Sequence, residues 1–436
     1  MNKQEFAKRR QRLIDIMGPN TIAVLPNAPV ANRNNDVDYP YRSHSNFHYL
    51  SGFDEPESVI VIVPNRPHGE YLLFCRERDL EKEIWHGYRA GQAGVIEHYG
   101  ADDAYPIADL DDILPGLLEG KDKVFYTMGN IPSFDQRMVG WLNHLRNASR
   151  QGLSSPTEII ELDHSLNELR LFKSAYEVKA MRTAAEVSSQ AHIRAMKFAK
   201  QAQWEYQLEA EIIHEFMHHG CASPAYPSIV GSGENGCILH YTENNNRLKN
   251  NDLVLIDAGA EYQYYAADIT RTFPVNGKFT TCQSALYSIV LAAQKAAIAM
   301  VQPGNHWNQP HEAAVQVLTK GLLDLGLLEG ELDTLIKDEK YREFYMHRTG
   351  HWLGMDVHDV GDYKVGGEWR VLEAGMVLTI EPGLYIRDLD HIAKKWHFIG
   401  IRIEDDVLVT KTGHDVLSKD APKEIADIEA LMTAED

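Results

Sequence analysis

The sequence predicts two domains of different architecture, an α/β domain followed by an α+β domain. In the first 150 residues, strand-like segments alternate with helix-like segments. From residue 174 onward, long amphipathic helices accompany strands that are predicted to be mostly antiparallel. Residues 151–170 are polar and irregular, which is typical of a linker. We therefore expect an N-terminal domain over residues 1–170 and a C-terminal domain over residues 171–436.

The composition is that of an ordinary globular protein with an acidic surface. The 436 residues carry a net charge of −20, which argues against nucleic acids and anionic membranes as partners. The first ten residues lack the apolar run of a signal peptide, and no apolar stretch has the length of a membrane span. The four cysteines show no Cys-x-x-Cys spacing and are expected to be reduced thiols, so we expect a cytoplasmic protein.

The individual elements follow from periodicity and turn residues. In the N-terminal domain we predict helices at 2–17, 80–86 and 134–150, and strands at 21–25, 58–63, 71–75 and near 123. In the C-terminal domain we predict helices at 176–199, 203–219, 281–301, 310–326 and 422–432. Its strands are expected near 226–231, 237–241, 253–260, 264–273, 376–381 and 399–409.

Residues 253–273 form the most informative segment, because two acids lie within a predicted apolar hairpin. If the turn is centred on Tyr262 and Gln263, Asp257 and Asp268 face each other directly. Side chains opposite one another have Cβ atoms about 4.5–5.5 Å apart, and like charges there are destabilising. A cation between them, or protonation of one, would relieve the repulsion. Two exposed acids on a solvated hairpin are the alternative, which the apolar flanking residues disfavour.

Two later acids are also embedded in apolar strands. Glu381 ends the strand predicted at 376–381 and is followed by a Pro-Gly break. Glu404 shares one strand face with Gly400 and Arg402, opposite a face of isoleucines. Buried charge is costly unless it is paired, so these acids are expected to have a common partner.

Histidines supply further candidates for the same site. His347, His351 and His358 lie within twelve residues, among glycines and apolar residues, and His240 is a weaker candidate. A single histidine would more often be an ordinary core residue, but three together favour a site. His214-Glu-Phe-Met-His218 matches the zincin pattern His-Glu-x-x-His. We interpret it as part of an ordinary amphipathic helix, because no third ligand follows at the required spacing.

At these residues the sequence resembles aminopeptidase P, the family of proline-specific aminopeptidases with the pita-bread fold of creatinase and methionine aminopeptidase. The segments that carry the resemblance in the C-terminal domain are IVGSGENGCILHYTE (229–243), 253–273, HWLGMDVHD (351–359), EPGLY (381–385) and GIRIEDD (400–406). DYPYR (38–42) and YLSGF (49–53) extend it to the N-terminal domain. The resemblance implies a creatinase-like N-terminal domain that mediates oligomer contacts and narrows access, and a pita-bread catalytic domain.

The resemblance also implies a pair of divalent metal ions. Asp257 would bind one ion, His351 and Glu381 would bind the other, and Asp268 and Glu404 would bridge them. Family precedent favours Mn²⁺ for this mostly oxygen donor set, although Co²⁺, Fe²⁺ or Zn²⁺ also fit it. A bridging hydroxide would then attack the peptide bond between an N-terminal residue and a following proline.

The family pattern assigns roles to further residues. The implied catalytic residues are His240, His347, His358, Glu381 and Arg402. Glu381 would accept a proton, His240 and His358 would bind substrate and the oxyanion, and His347 would form the proline-binding wall. Arg402 would orient the acids. The remaining implied substrate-binding residues are Asp38, Tyr385, Trp85 and Arg150.

Several alternatives remain open on the sequence alone. A prolidase, restricted to Xaa-Pro dipeptides, would use the same five ligands. Methionine aminopeptidases generally lack such a large N-terminal domain, and a non-catalytic pita-bread scaffold would usually have lost ligands. The resemblance implies a homodimer or homotetramer. One departure is Arg348, since the family often has small residues between the histidines at 347 and 351.

Overall fold

The computed structural model describes residues 3–434. Contacts divide the chain into two compact units, Met1–Leu169 and Arg170–Asp436. Among the described residues, every helix is too short or too polar to cross a lipid bilayer.

The first unit is built on a mixed six-stranded sheet. The strands of this unit are β1 (Thr21–Pro26), β2 (Asn32–Asn34), β3 (Val37–Asp38), β4 (Val59–Ile62), β5 (Tyr71–Cys75), β6 (Asp103–Pro106), β7 (Lys123–Phe125) and β8 (Glu158–Ile160). The order in the sheet is β6-β5-β4-β1-β7-β8, and β2 and β3 form a separate pair. Its helices are α1 (Lys3–Met17), α2 (Ser45–Ser51), α3 (Leu80–His86), α4 (Gly91–Tyr99), α5 (Leu110–Leu118), α6 (Pro132–Asn147) and α7 (Leu162–Leu171). Apolar side chains of the sheet pack against α5 and α6, which confirms an α/β unit.

The segment 151–170 differs from the prediction of an irregular linker. Residues 158–160 form β8, which pairs in parallel with β7 at the sheet edge, and α7 follows. The strand is only three residues long and its side chains are exposed or half-buried. A run of three residues is too short to give a periodic strand signal, and pairing with β7 supplies the stability of the strand.

The second unit combines long helices with short antiparallel sheets, which confirms the α+β prediction. Its helices are α8 (Ala175–Phe198), α9 (Glu205–His218), α10 (Thr281–Ala299), α11 (Gln309–Asp324), α12 (Leu332–Lys337) and α13 (Ile425–Thr433). Its strands are β9 (Ser223–Pro224), β10 (Ile229–Ser232), β11 (Leu253–Asp257), β12 (Ala260–Tyr262), β13 (Tyr265–Ala266), β14 (Thr270–Pro274), β15 (Lys364–Val365), β16 (Glu368–Trp369), β17 (Val377–Ile380), β18 (Gly383–Ile386), β19 (Ile399–Arg402), β20 (Asp405–Val409) and β21 (His414–Val416). Capping boxes at Ser174 and Thr280 fix the starts of α8 and α10.

The strand predicted at 237–241 is absent. Residues Gly233–Cys237 form a 3₁₀ turn, and the chain then continues without regular structure. The turn packs against β19 so closely that a Cβ atom on Gly400 would lie 2.1 Å from the Gly236 carbonyl oxygen. The apolar residues that suggested a strand instead cover the neighbouring sheet, since Leu239 and Tyr241 pack beside Ile229.

The hairpin at 253–273 exists, but its register differs from the prediction by two residues. Asp257 pairs with Thr270 and not with Asp268. The reason is the turn, which is centred on Gln263 and Tyr264, both with positive φ. Such a pair of residues makes a type I′ turn without its usual asparagine or glycine. Because the shift is two residues, Asp257 and Asp268 stay on the same face.

A buried polar network ties β14 and β20 to the chain near the C-terminus. Arg271 is fully buried and donates to an Asp405 carboxylate oxygen at 2.7 Å and to the carbonyls of Glu404 (2.6 Å) and Ala421 (2.9 Å). Lys423 pairs with the other oxygen of the same carboxylate. The network therefore fixes the backbone of Glu404, a predicted metal ligand.

We expect Arg271→Leu to lower the free energy of unfolding by about 3–5 kcal/mol, because it leaves Asp405 buried without its main partner. Urea unfolding monitored by circular dichroism measures this loss. Lys320→Ala, which removes an exposed cation from an ion pair, is the matched control with an expected loss of about 0–1 kcal/mol. Equal losses in the two variants would contradict a stabilising role for the network.

Candidate metal centre and active site

A cavity of about 460 Å³ in the second unit collects most of the predicted site residues. Those that line it are His240, Asp257, Asp268, His347, His351, His358, Glu381, Arg402 and Glu404. Tyr226 and Arg348 also line it. All five predicted metal ligands therefore reach one cavity.

Neighbouring strands bring the acids together. Asp257 ends β11, Asp268 precedes β14, Glu381 follows β17, and Glu404 lies between β19 and β20. The Glu404 amide donates to the Thr270 carbonyl at 3.1 Å, which joins two of these ends. Residues at or next to strand ends are held by the backbone hydrogen bonds of the sheet, so the acids have well-defined positions.

His351 is held beside β17 by its backbone. Its amide donates to the Thr379 hydroxyl at 3.1 Å, and the Thr379 amide donates to its carbonyl at 2.9 Å. The chain passes so close that a Cβ atom on Gly350 would lie 1.9 Å from the Thr379 carbonyl oxygen. A glycine is therefore required immediately before this histidine.

The imidazole of His351 is oriented as a metal ligand. Its Nδ1 donates to the Trp352 carbonyl at 2.9 Å, so the Nε2 lone pair points into the cavity. Nε2 lies 3.3 Å from Asp268 Oδ2 and 3.8 Å from Glu381 Oε1. Donor atoms of Asp268, His351 and Glu404 lie within 4.8 Å of one another, a spacing that fits a metal ion.

The electrostatics of the acids also fit bound cations. Burial, together with the Asp268 carboxylate, raises the pKa of Glu404 well above its usual range, and burial raises that of Glu381 to about 7. Burial and the adjacent Asp257 raise the pKa of Asp268. Although burial opposes a charged imidazole, Asp268 raises the pKa of His351 to about 9. The cationic groups of the protein therefore compensate these carboxylates only in part, and divalent cations would complete the compensation.

Asp257 differs from the other acids because a cation of the protein already faces it. Burial opposes its ionisation, but the Arg402 guanidinium, which donates to Oδ2 at 2.6 Å, holds its pKa below the usual value. Arg402 also donates to the Tyr385 hydroxyl at 3.0 Å. The predicted orienting role of Arg402 and the position of Tyr385 beside it agree with these contacts.

Tyr226 is a site residue that the sequence reasoning missed. Its hydroxyl oxygen lies 2.6 Å from Asp257 Oδ1 and 2.5 Å from Asp268 Oδ1. It precedes β10 in a short Tyr-Pro-Ser segment that has no recognisable motif. The role of Tyr226 becomes visible only in the folded structure, where its hydroxyl group contacts carboxylates from two different segments of the chain.

The other predicted histidines surround the acids. The rings of His351 and His358 lie 4.4 Å apart between centroids in an edge-on arrangement, and His240 lines the same cavity. Burial and the neighbouring His351 lower the pKa of His358. His240 and His358 are both exposed, so they face the open side of the cavity.

Three predicted substrate-binding residues, Asp38, Trp85 and Arg150, belong to the first unit. All three are exposed, with 82% of Trp85 accessible, and none lines the cavity. Their roles stay predictions. The rings of His214 and His218 stack 5.8 Å apart on an exposed face of α9 and do not line the cavity either.

Four carboxylates and an imidazole oriented as a ligand, which meet at the strand ends of an α+β unit, fit the class of metal-dependent hydrolases. Metallopeptidase family M24 matches residues 179–411, and the aminopeptidase P N-terminal domain matches residues 6–126. The chain therefore belongs to metallopeptidase family M24.

Full-length relatives support the same conclusion. The chain is 45% identical to the Xaa-Pro aminopeptidase of Escherichia coli strain K12 over 435 residues, covering 100% of this chain and 98% of that protein. Its structure is similar to that of Pseudomonas aeruginosa aminopeptidase PepP, with a TM-score of 0.98, 58% identity, and 99% and 98% of the two chains covered. The proline aminopeptidase P II of Yersinia pestis gives a TM-score of 0.96 at 47% identity, with 99% of each chain covered.

We expect Asp268→Asn to lower the metal content of the purified protein severely, because Asp268 is one of the three residues whose donor atoms lie within 4.8 Å of one another. Elemental analysis after dialysis measures the bound metal per chain. Asp333→Asn removes an exposed acid from α12 and should leave the metal content unchanged. Full metal content in Asp268→Asn would overturn the site assignment.

We expect Tyr226→Phe to weaken metal binding by about 10–100-fold, the usual effect of removing a group that orients ligands. Titration of the metal-free protein with Mn²⁺ in a calorimeter gives the affinity. Tyr206→Phe, which alters a half-exposed tyrosine on α9, is the control. Unchanged affinity in Tyr226→Phe would show that the two aspartates are oriented without it.

Proposed function

We propose that this chain is a Xaa-Pro aminopeptidase that removes an N-terminal residue preceding proline. The observation that carries the proposal is the convergence of all five predicted ligands on one cavity. The full-length similarity to proteins named Xaa-Pro aminopeptidase supports the choice of substrate.

We further propose that the site holds two divalent ions, with Mn²⁺ favoured by the mostly oxygen donors. Asp257 would bind one ion, and His351 and Glu381 would bind the other. Asp268 and Glu404 would each bind both ions. Four carboxylates balance the charge of two dications. Bound ions of this kind supply a nucleophilic water at neutral pH and polarise the scissile carbonyl.

The protein's own groups complete the mechanism. Glu381 lies at the cavity wall and accepts the proton that the water loses. His240 and His358, on the open side, donate hydrogen bonds to the substrate carbonyl as negative charge develops on its oxygen. Arg402 keeps Asp257 ionised and in place.

The imidazole of His347 forms part of the wall against which proline packs. Nδ1 donates to the Arg348 carbonyl at 2.7 Å, so Nε2 accepts from the Tyr385 hydroxyl at 2.8 Å. Burial and the nearby Arg402 lower the pKa of His347 to about 3, which keeps the ring neutral. With both nitrogens engaged, the ring offers proline a fixed apolar wall. Such a wall suits an imide that has no N–H to recognise.

The alternatives have less support. A prolidase would use the same ligands, but the full-length relatives carry the aminopeptidase name. Retention of all five ligands disfavours a scaffold without catalysis. We also propose a cytoplasmic homodimer or homotetramer in which the N-terminal domain forms contacts and narrows access. The free cysteines and the family resemblance support this part.

We expect the protein, stripped by chelator and refilled with Mn²⁺, to release the N-terminal residue from Xaa-Pro-Yaa-Zaa peptides. Liquid chromatography with mass spectrometry follows the products, and the stripped protein without metal is the control. Xaa-Ala-Yaa-Zaa peptides test the requirement for proline. Cleavage of Xaa-Pro dipeptides alone would favour a prolidase, and no cleavage of either by metal-loaded protein would refute the proposal.

A further inference from the structure

A second cavity, of about 450 Å³, adjoins the metal centre. Its walls come from α11, α12 and the 3₁₀ turn at Lys340–Glu343. His347 and Arg348 line both cavities, so they form the partition between them. No part of the proposed reaction uses this second space.

The partition is rigid on its His347 side. The two hydrogen bonds of the ring fix its plane, and the ring of Tyr345 packs edge-on against it at 4.9 Å between centroids. Tyr345 is itself buried and bonded to the Thr349 hydroxyl at 2.6 Å. A proline held against this wall would have a fixed position, and Arg348, which lines both cavities, lies at the border that the residues after proline would reach.

Arg348 contributes a guanidinium group, held in position by its contacts, to the partition. Its guanidinium donates to the Asn308 side-chain oxygen and lies 5.2 Å from the centroid of the Trp369 ring. Among residues 3–434, no carboxylate forms an ion pair with it. The hydrogen bond to Asn308 and the contact with the Trp369 ring hold the guanidinium in position. Its other N–H groups remain available to donate to a ligand.

Two acids line the same cavity, and neither pairs with Arg348. Glu312 accepts from the Asn308 amide at 2.6 Å, and Glu339 pairs with Arg342 at 3.1 Å. His311, which also lines the cavity, is kept neutral because burial and both guanidinium groups lower its pKa to about 4. The second cavity therefore has one guanidinium without an anionic partner.

We infer that the second cavity is a subsite for the residues that follow proline, and that Arg348 binds a carboxylate there. This inference rests on the proposed aminopeptidase function. The carboxylate is either the C-terminus of a short peptide or the side chain of Asp or Glu in the first two residues after proline. A planar guanidinium matches such a group with two parallel hydrogen bonds.

The test compares kcat/KM for matched peptides in the Mn²⁺-loaded full-length protein. Ala-Pro-Ala is paired with its C-terminal amide, and Ala-Pro-Glu-Ala-amide with Ala-Pro-Gln-Ala-amide. We expect wild type to prefer the carboxylate of at least one pair, and Arg348→Gln to reduce that preference by about tenfold. Arg348→Lys, which keeps the charge but not the fork, should be intermediate. Arg194→Gln, which removes a half-exposed arginine on α8, is the matched control.

The outcomes separate the subsite from the function. A preference lost in Arg348→Gln and kept in Arg194→Gln supports the subsite, and the affected pair identifies the source of the carboxylate. A wild-type protein that cleaves all four peptides without preference, or a preference that survives Arg348→Gln, overturns the subsite and leaves the aminopeptidase proposal intact. If no peptide is cleaved, both fail together.

Discussion

The repulsion between carboxylates that are buried side by side is the main constraint on the candidate metal centre of the second unit. Asp268, Glu381 and Glu404 approach one another in a cavity whose surroundings raise the pKa of each. Folding alone would not gather these groups, because each loses hydration that His351 and Arg402 replace only in part. Their positions are fixed by strands that are stable for other reasons. The fold therefore tolerates the repulsion between the carboxylates, and metal binding would relieve it.

Several contacts from other parts of the unit hold these acids in position. Arg402 satisfies Asp257, Tyr226 joins Asp257 to Asp268, and the Arg271 network holds the backbone of Glu404. Each of these contacts joins segments that are distant in the chain. The geometry of the centre is therefore a property of the whole antiparallel arrangement and not of any one motif.

The sequence predicts which acids meet in one cavity better than it predicts their geometry. An acid inside an apolar strand, such as Asp257 or Glu404, is visible from its neighbours alone. The register of the hairpin was predicted wrongly, because Gln263 and Tyr264 adopt positive φ without the residues that normally signal this turn. Tyr226 was missed because its contacts depend on tertiary structure. Likewise, β8 has too few residues to leave a pattern and exists through its pairing with β7.

The network around Arg271 has a consequence for how local unfolding would affect the candidate metal centre. The carbonyls of Ala421 and Pro422 and the ammonium of Lys423 belong to the segment between β21 and α13, and Ala421 lies 150 residues from Arg271 in the sequence. If this segment detached, Arg271 and Asp405 would lose part of the solvation that they receive inside the protein. Because Arg271 also holds the Glu404 carbonyl, local unfolding of this segment would loosen the backbone of a predicted metal ligand.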